Sequence, residues 1–140
     1  RLRCDPAPTE PVRIVVGGHS DAGLRRAARL GDGWVGAQCD LEATREVCDR
    51  LRRAREEIGD AGRLAPDDPS FSVAVTPIVA PTVEAMAEIG ECGVTEVITV
   101  PWYFFGGDPN DPSVQDESVA RFAAEVIAPM AARSAPQEGR

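Results

Sequence analysis

Four short apolar segments alternate with four amphipathic segments along this chain, and that alternation limits the possible folds more than any other feature. The predicted strands are residues 13–17, 34–37, 71–78 and 94–100, and the predicted helices are residues 21–30, 41–58, 83–92 and 114–130. Strands and helices in this order are joined by right-handed crossovers and form a parallel sheet. We therefore expect an α/β fold with four parallel strands.

Two architectures share this pattern: an open doubly wound sheet, and a part of a (β/α)8 barrel of the TIM type. A complete barrel needs roughly 250 residues, so a chain of 140 residues supplies only half of one. We expect a single partial domain over residues 1–140. Within it, residues 1–11 are predicted to be an extended lead-in and residues 134–140 a frayed tail.

The first predicted strand leads into a glycine turn and then a helix. The run Ile14–Val16 is β-branched and does not alternate with polar residues, which predicts a strand covered on both faces. Gly17 and Gly18 allow a sharp turn with room for a ligand beside the main chain, and Ser20 is the predicted N-cap. The first N–H groups of the helix then face the turn, where an anion is favoured. A purely steric role for the glycines is the alternative.

Few residues of the chain are suited to acid–base or nucleophilic chemistry. His19 is the single histidine, and it either faces solvent in the turn, donates to a phosphate or acts as a base. Asp32 is expected to stabilise the turn before Trp34. With only one histidine available, the sequence shows no Ser-His-Asp arrangement. It also has neither a Gly-x-x-x-x-Gly-Lys loop nor a Gly-x-Gly-x-x-Gly fingerprint. The catalytic residues are left unassigned.

The composition excludes several classes of partner. A net charge of −8 disfavours nucleic acid and anionic membranes, because both bind basic surfaces. No apolar run approaches the roughly 20 residues that cross a bilayer, and no apolar signal segment begins the chain, so we expect a cytoplasmic protein. The four cysteines lack Cys-x-x-Cys spacing, which predicts buried reduced thiols and no metal site. The charged side of residues 41–58 is expected to be solvated.

An aromatic run, Trp102–Phe105, follows the last predicted strand. On a barrel this loop lies at the carboxyl end of the strands, where active sites are built. Trp102 and Tyr103 are therefore candidates for lining an apolar substrate pocket or covering a flat ring system. A cover over the mouth of the barrel, or a subunit contact, is the alternative.

Two motifs carry a resemblance to a known family. Residues 15–20, Val-Val-Gly-Gly-His-Ser, together with residues 24–34, which end in Gly-Asp-Gly-Trp, resemble the luciferase-like monooxygenases, in particular the branch that depends on coenzyme F-420, a deazaflavin. Residues 93–100 are similar to the last barrel strand of that family. The likeness extends over residues 11–130 and corresponds to the C-terminal half of the family's (β/α)8 barrel.

This resemblance implies a function. It implies the C-terminal half of a flavin- or deazaflavin-dependent oxidoreductase, either a monooxygenase or a hydride-transfer enzyme, with coenzyme F-420 as the cofactor and FMN as the alternative. The residues that contact the reactive ring belong to the family's N-terminal half. The residues implied for cofactor phosphate binding are Gly17, Gly18, His19, Ser20, Val35, Gly36, Ala37 and Gln38.

Other possibilities remain open from the sequence. A half-barrel has two unpaired strand edges and an uncovered inner face, so we expect self-association or pairing with an N-terminal half. The alternatives to an oxidoreductase are a non-catalytic cofactor- or phosphate-binding module and an unrelated flavodoxin-like doubly wound domain.

Overall fold

The computed structural model describes residues 5–134 and confirms the alternation of strands and helices. The strands are β1 (Val15–Gly17), β2 (Gly33–Cys39), β3 (Ser72–Pro77) and β4 (Glu96–Val97), and the helices are α1 (Asp21–Leu30), α2 (Leu41–Ile58), α3 (Val83–Glu91), α4 (Pro112–Phe122) and α5 (Ala128–Ser134). A π-helical turn, Ala123–Ile127, joins α4 to α5. The predicted α/β class is confirmed.

All four strands are parallel, and their order in space follows the chain, β1-β2-β3-β4. A flavodoxin-like sheet has the order 2-1-3-4-5, with helices on both faces. The sequential order contradicts the flavodoxin-like alternative. It is the order in which the strands of a β/α barrel follow one another, and the fold is consistent with part of such a barrel.

Side-chain caps begin three helices where the sequence predicted them. Ser20, Asp40 and Thr82 each accept a hydrogen bond from the main-chain N–H three residues later, at 3.2, 2.8 and 3.2 Å. Gly31 ends α1, but it does not adopt the left-handed conformation that is usual for a glycine after a helix, since its φ is −93°. A Cβ at Gly31 would lie 2.8 Å from the carbonyl oxygen of Ala27, so the close approach of two backbones requires glycine.

The hydrophobic core lies between the helices and one face of the sheet. The strand register places Trp34 beside Val73 on that face, and Trp34 is fully buried. The apolar stripes predicted for α1 and α2 are confirmed, and their buried residues are Leu24, Ala27, Ala28, Thr44, Val47, Cys48, Leu51 and Ala54. For the last helix the sequence predicts a buried face that includes Val119, Val126 and Ile127. This prediction is partly wrong, because Val126 is buried but Val119 and Ile127 are about half exposed. The π-helical turn inserts an extra residue between them and rotates the buried face.

The other face of the sheet carries no helix in the part of the chain that the structure describes. The prediction that β1 is covered on both faces is therefore wrong: Val15 is 45% exposed, and only Val16 packs against the core. β1 is also an edge strand, and β2 is its single neighbour in the described sheet. Ile98, just after the opposite edge strand, is 50% exposed.

Several boundaries differ from the predicted ones. β1 begins two residues later than predicted, and β4 has two residues instead of seven, because only Glu96 and Val97 pair with β3. The last helix begins at Pro112, with Asp111 as its N-cap, and continues through Ser134. Residues 5–11 form no helix or strand. Residues 1–4 and 135–140 lie outside the described residues.

The cysteines within the described residues are buried free thiols, as predicted. Cys39, Cys48 and Cys92 form no disulfide, and Cys4 lies outside the described residues. Burial raises the pKa of the Cys48 thiol to about 11, so this thiol stays protonated near neutral pH. No grouping of three or more metal-binding side chains occurs across residues 5–134, and no helix there is both long and apolar enough to span a bilayer.

Asp32 ties together the amino-terminal ends of the strands. Its carboxylate accepts a 2.7 Å hydrogen bond from Ile14 N and pairs with Arg63, while its carbonyl oxygen accepts from Ser72 N at 3.1 Å. Arg13 also donates to that carbonyl, at 3.3 Å. These contacts confirm the stabilising role predicted for Asp32. The Ile14 hydrogen bond, and then Arg63, hold the pKa of the Asp32 carboxyl below its usual range.

We expect Asp32→Asn to destabilise the fold at pH 7 and to cost progressively less as the pH falls. A carboxyl whose pKa is lowered by folding stabilises the native state above its unfolded pKa, and this contribution is lost as the pH falls through the folded pKa. Urea midpoints of both proteins between pH 7 and pH 3 measure the effect. Asp60→Asn, in an exposed turn, is the control. A difference between wild type and Asp32→Asn that does not change with pH would contradict the assignment.

Candidate functional site

The predicted glycine turn lies at the carboxyl end of β1. Gly17 ends the strand, Gly18 has φ +117°, and Ser20 caps α1 three residues after Gly17. Residues other than glycine rarely adopt this φ. A Cβ on Gly18 would meet no atom within 4 Å, so the space beside the turn is open. The turn therefore has both the backbone freedom and the room for a ligand that the sequence predicted.

Two successive carbonyl groups of the turn are held by side chains from elsewhere in the fold. Trp34 Nε1 donates to the carbonyl oxygen of Gly18 at 2.8 Å, and Arg50 Nη2 donates to the carbonyl oxygen of His19 at 2.9 Å. Both peptide bonds are trans, and in a trans peptide the C=O and the next N–H point in opposite directions. The N–H groups of His19 and Ser20 therefore point away from the side chains that hold the carbonyls.

Four N–H groups at this turn are free to bind an external acceptor. Gly23 N donates to Ser20 Oγ and Leu24 N to the carbonyl oxygen of Ser20. Within residues 5–134, the N–H groups of the preceding four residues, 19–22, donate to no protein acceptor. Such groups at a helix N-terminus carry partial positive charge and favour an anion. A phosphate fits this set of donors.

The end of β2 packs beside the glycine turn. Val35 pairs with Gly17, Ala37 N donates to His19 Nε2 at 3.3 Å, and the His19 ring meets the Trp34 ring edge-on with centroids 5.6 Å apart. Because Nε2 accepts this hydrogen bond, the proton of the neutral imidazole is on Nδ1. The structure thus brings the two predicted segments, 17–20 and 35–38, into contact.

Gly36 and Gln38, at the end of β2, have unusual backbone surroundings or conformation. Gly36 lies against the Trp34 indole, and a Cβ there would be only 2.2 Å from the ring carbon Cη2. A larger residue would therefore displace the indole from Gly18. Gln38 has φ +57° at an irregularity in the pairing of β2 with β3, and both Ala37 and Gln38 are exposed.

Arg50 is a residue of this region that the sequence analysis missed. It lies on α2, in the charged run interpreted as a solvated face, and its side chain is only 31% exposed. Besides His19, it pairs with the carboxylate of Asp21, with 2.6 Å between Nη2 and Oδ1. This ion pair lowers the pKa of Asp21. No spacing rule distinguishes Arg50 from the other arginines of that helix; only the packing of α2 beside α1 does.

Trp102 and Tyr103 lie apart from the glycine turn. They belong to a 3-10 turn after β4, with ring centroids 6.3 Å apart, and Tyr103 is 69% exposed. Because the strands are parallel, this turn and the glycine turn are at the same end of the sheet, but β2 and β3 lie between them. Their role as a substrate pocket stays a prediction.

Comparison with known proteins identifies the family. The sequence model of the luciferase-like monooxygenases matches residues 1–133. The chain belongs to this family. It is 37% identical over 131 residues to the uncharacterized protein Mb0965c of Mycobacterium bovis, and equally to Rv0940c of Mycobacterium tuberculosis. These alignments cover 91% of this chain and 42% of each relative, so the chain spans about two-fifths of the length of the curated relatives it matches.

Luciferase-like proteins generally use flavin or deazaflavin cofactors, and both FMN and coenzyme F-420 carry a phosphate. The donor set of this chain suits that group in two respects. The open space beside Gly18 lets a phosphate approach the main chain. The N–H groups of residues 19–22 supply hydrogen-bond donors that have no acceptor among the described residues.

Proposed function

We propose that this chain forms the phosphate-binding side of the cofactor site in a luciferase-like oxidoreductase. In this proposal the chain corresponds to the C-terminal half of the (β/α)8 barrel, coenzyme F-420 is the cofactor and FMN the alternative, and the cytoplasm is the compartment. The observation that carries it is the fixed orientation of the Gly18 and His19 peptides. Their carbonyl groups are held by Trp34 and Arg50, so the N–H groups of His19 and Ser20 point away from those two side chains.

The chain's part in the chemistry is binding and orientation. The bound flavin or deazaflavin supplies hydride transfer or oxygen activation itself. The N–H groups of residues 19–22 and the N-terminus of α1 hold the phosphate, and Val35, Gly36, Ala37 and Gln38 form the adjacent wall. His19 donates from Nδ1, since Nε2 already accepts from Ala37. A phosphate held at these points fixes where the rest of the cofactor extends along the carboxyl ends of the strands.

The aromatic turn completes the proposal on the substrate side. Trp102 and Tyr103 follow β4 at the same end of the sheet as the glycine turn. Their exposed rings offer apolar surface for a substrate or for the flat cofactor ring. The cofactor has to extend across β2 and β3 for both groups of residues to serve one site.

The experiment is a titration of the purified chain with FMN, riboflavin and oxidised coenzyme F-420, followed by cofactor fluorescence. We expect FMN to bind more tightly than riboflavin, because riboflavin differs only in lacking the phosphate. Binding without oxidoreductase turnover is expected of this chain both as a barrel half and as a binding module, because the ring-contacting residues are assigned to the N-terminal half. Equal affinity for FMN and riboflavin would contradict the phosphate site, and no binding of any of the three would contradict both functions.

We also propose that the helix-free face of the sheet is covered in the working protein, either by a second copy of this chain or by an N-terminal barrel half. Val15 and Ile98 at its two edges are 45% and 50% exposed. Edge strands with exposed apolar residues favour pairing with another chain.

We expect the isolated chain to self-associate, and Ile98→Lys to lower its mass in light scattering because a charge then lies on the pairing face. Val119→Lys is the matched control, since Val119 is 49% exposed on α4, away from that face. A monomeric wild-type chain would exclude the second copy. An equal effect of both substitutions would show that the face is not the contact.

A further inference from the structure

We propose that Arg50 is a positioning residue for the anion site, acting on the His19–Ser20 peptide and on the charge of Asp21. This inference rests on the proposed phosphate site and adds a residue that neither the motif nor the family resemblance assigns. Arg50 is contributed by α2, while the donors belong to the turn before α1. Its guanidinium makes both contacts at once, to the carbonyl oxygen of His19 and to the carboxylate of Asp21.

The first effect of Arg50 is on the direction of a hydrogen-bond donor. The 2.9 Å bond from Arg50 Nη2 to His19 O fixes the plane of the peptide between His19 and Ser20. Ser20 N–H then points to the opposite side, where it has no acceptor among the described residues. Without Arg50 that peptide is free to rotate, and a donor that is already aligned binds a ligand at lower entropic cost.

The second effect of Arg50 is electrostatic. Asp21 is the first residue of α1, so its carboxylate lies at the helix end where an anionic ligand would bind. An unpaired carboxylate there repels a phosphate and competes with it for the free N–H groups. Arg50 holds this carboxylate through two nitrogens, Nε at 3.2 Å and Nη2 at 2.6 Å, and neutralises its charge. Glu46 is a further acidic neighbour of the guanidinium, at 3.8 Å.

The two effects predict different outcomes for a set of variants. Arg50→Met should raise the Kd for FMN roughly tenfold, the loss expected when a helix-terminus anion site loses its alignment and its neutralised charge. Adding Asp21→Asn to Arg50→Met should recover part of that loss, because the repulsive carboxylate is gone. Asp21→Asn alone should change the Kd little.

The matched control is Arg53→Met. Arg53 lies on the same helix and lines the same cleft of about 160 Å³ between α1 and α2. Among the described residues its guanidinium donates to the carbonyl oxygen of Asp49 in its own helix and makes no contact with the turn. The substitution Arg53→Met removes one positive charge near the site without touching the turn, so the Kd for FMN should change by less than about twofold. Circular dichroism and thermal unfolding test whether Arg50→Met and Arg53→Met remain folded.

An independent measurement uses inorganic phosphate and the amide resonances of residues 19–22. Phosphate should shift these resonances in the wild-type chain and in Arg53→Met, and much less in Arg50→Met. Equal Kd changes for Arg50→Met and Arg53→Met, absence of any recovery by Asp21→Asn, or a wild-type chain whose amides do not respond to phosphate would each overturn the proposal. Phosphate shifts without FMN or F-420 binding would instead contradict the proposed cofactor while leaving the role of Arg50 intact.

Discussion

Replacing Trp34 by alanine is expected to lower the free energy of unfolding by about 3–5 kcal/mol, the usual cost of removing a fully buried aromatic side chain. Trp34 has no exposed surface and packs in the core between the sheet and the helices. Its indole also fills the space over Gly36, so alanine leaves a cavity that this glycine has no side chain to occupy. Urea unfolding followed by circular dichroism measures the change.

Trp34→Phe separates the packing of the indole from its hydrogen bond. Phenylalanine keeps most of the apolar volume but loses the Nε1 donor, so the carbonyl of Gly18 loses its 2.8 Å partner. We expect a smaller loss of stability than for alanine, together with weaker FMN binding. Trp102→Ala is the control for the stability change alone, because Trp102 is only half-buried and lies in the turn after β4. A loss below about 1 kcal/mol for Trp34→Ala would contradict the assigned core position.

The sequence determines more of the fold than of the site, and the reason is the range of the interactions. Helix caps such as Ser20 and Asp40 act on N–H groups three residues away, so a local pattern reveals them. The bond from Arg50 to His19 spans 31 positions. It depends on how α2 packs beside α1, which periodicity does not specify.

The same reasoning explains the error on β1. An apolar run such as Ile14–Val16 indicates that a segment is suited to burial, but the pattern does not say which element covers it. Across residues 5–134 the sheet has helices on one face only, which leaves Val15 half exposed. The short β4 has a related cause, because an edge strand is paired on one side alone and only two of its residues follow the register of β3.

Gly18→Ala is expected to weaken FMN binding by tenfold or more while lowering stability by only about 1–2 kcal/mol, the cost of forcing a residue with a Cβ into a left-handed conformation. Gly18 has φ +117° and is followed directly by the His19 N–H donor, and a Cβ on Gly18 both disfavours that angle and occupies the open space beside the turn. Either relaxation of the turn rotates the donor, or the methyl group blocks the phosphate. Titration with FMN and thermal unfolding measure the two effects separately.

Gly93→Ala is the matched control for that experiment, because it tests backbone strain without touching the site. Gly93 follows α3 with φ +92°, and a Cβ there would also meet nothing within 4 Å. The two substitutions should therefore lower stability by similar amounts, and only Gly18→Ala should change the affinity for FMN. If both weaken binding equally, the loss reflects general destabilisation and the phosphate does not bind at Gly18. If neither substitution weakens FMN binding, the two glycines have the purely steric role at the strand–helix junction that is the alternative interpretation.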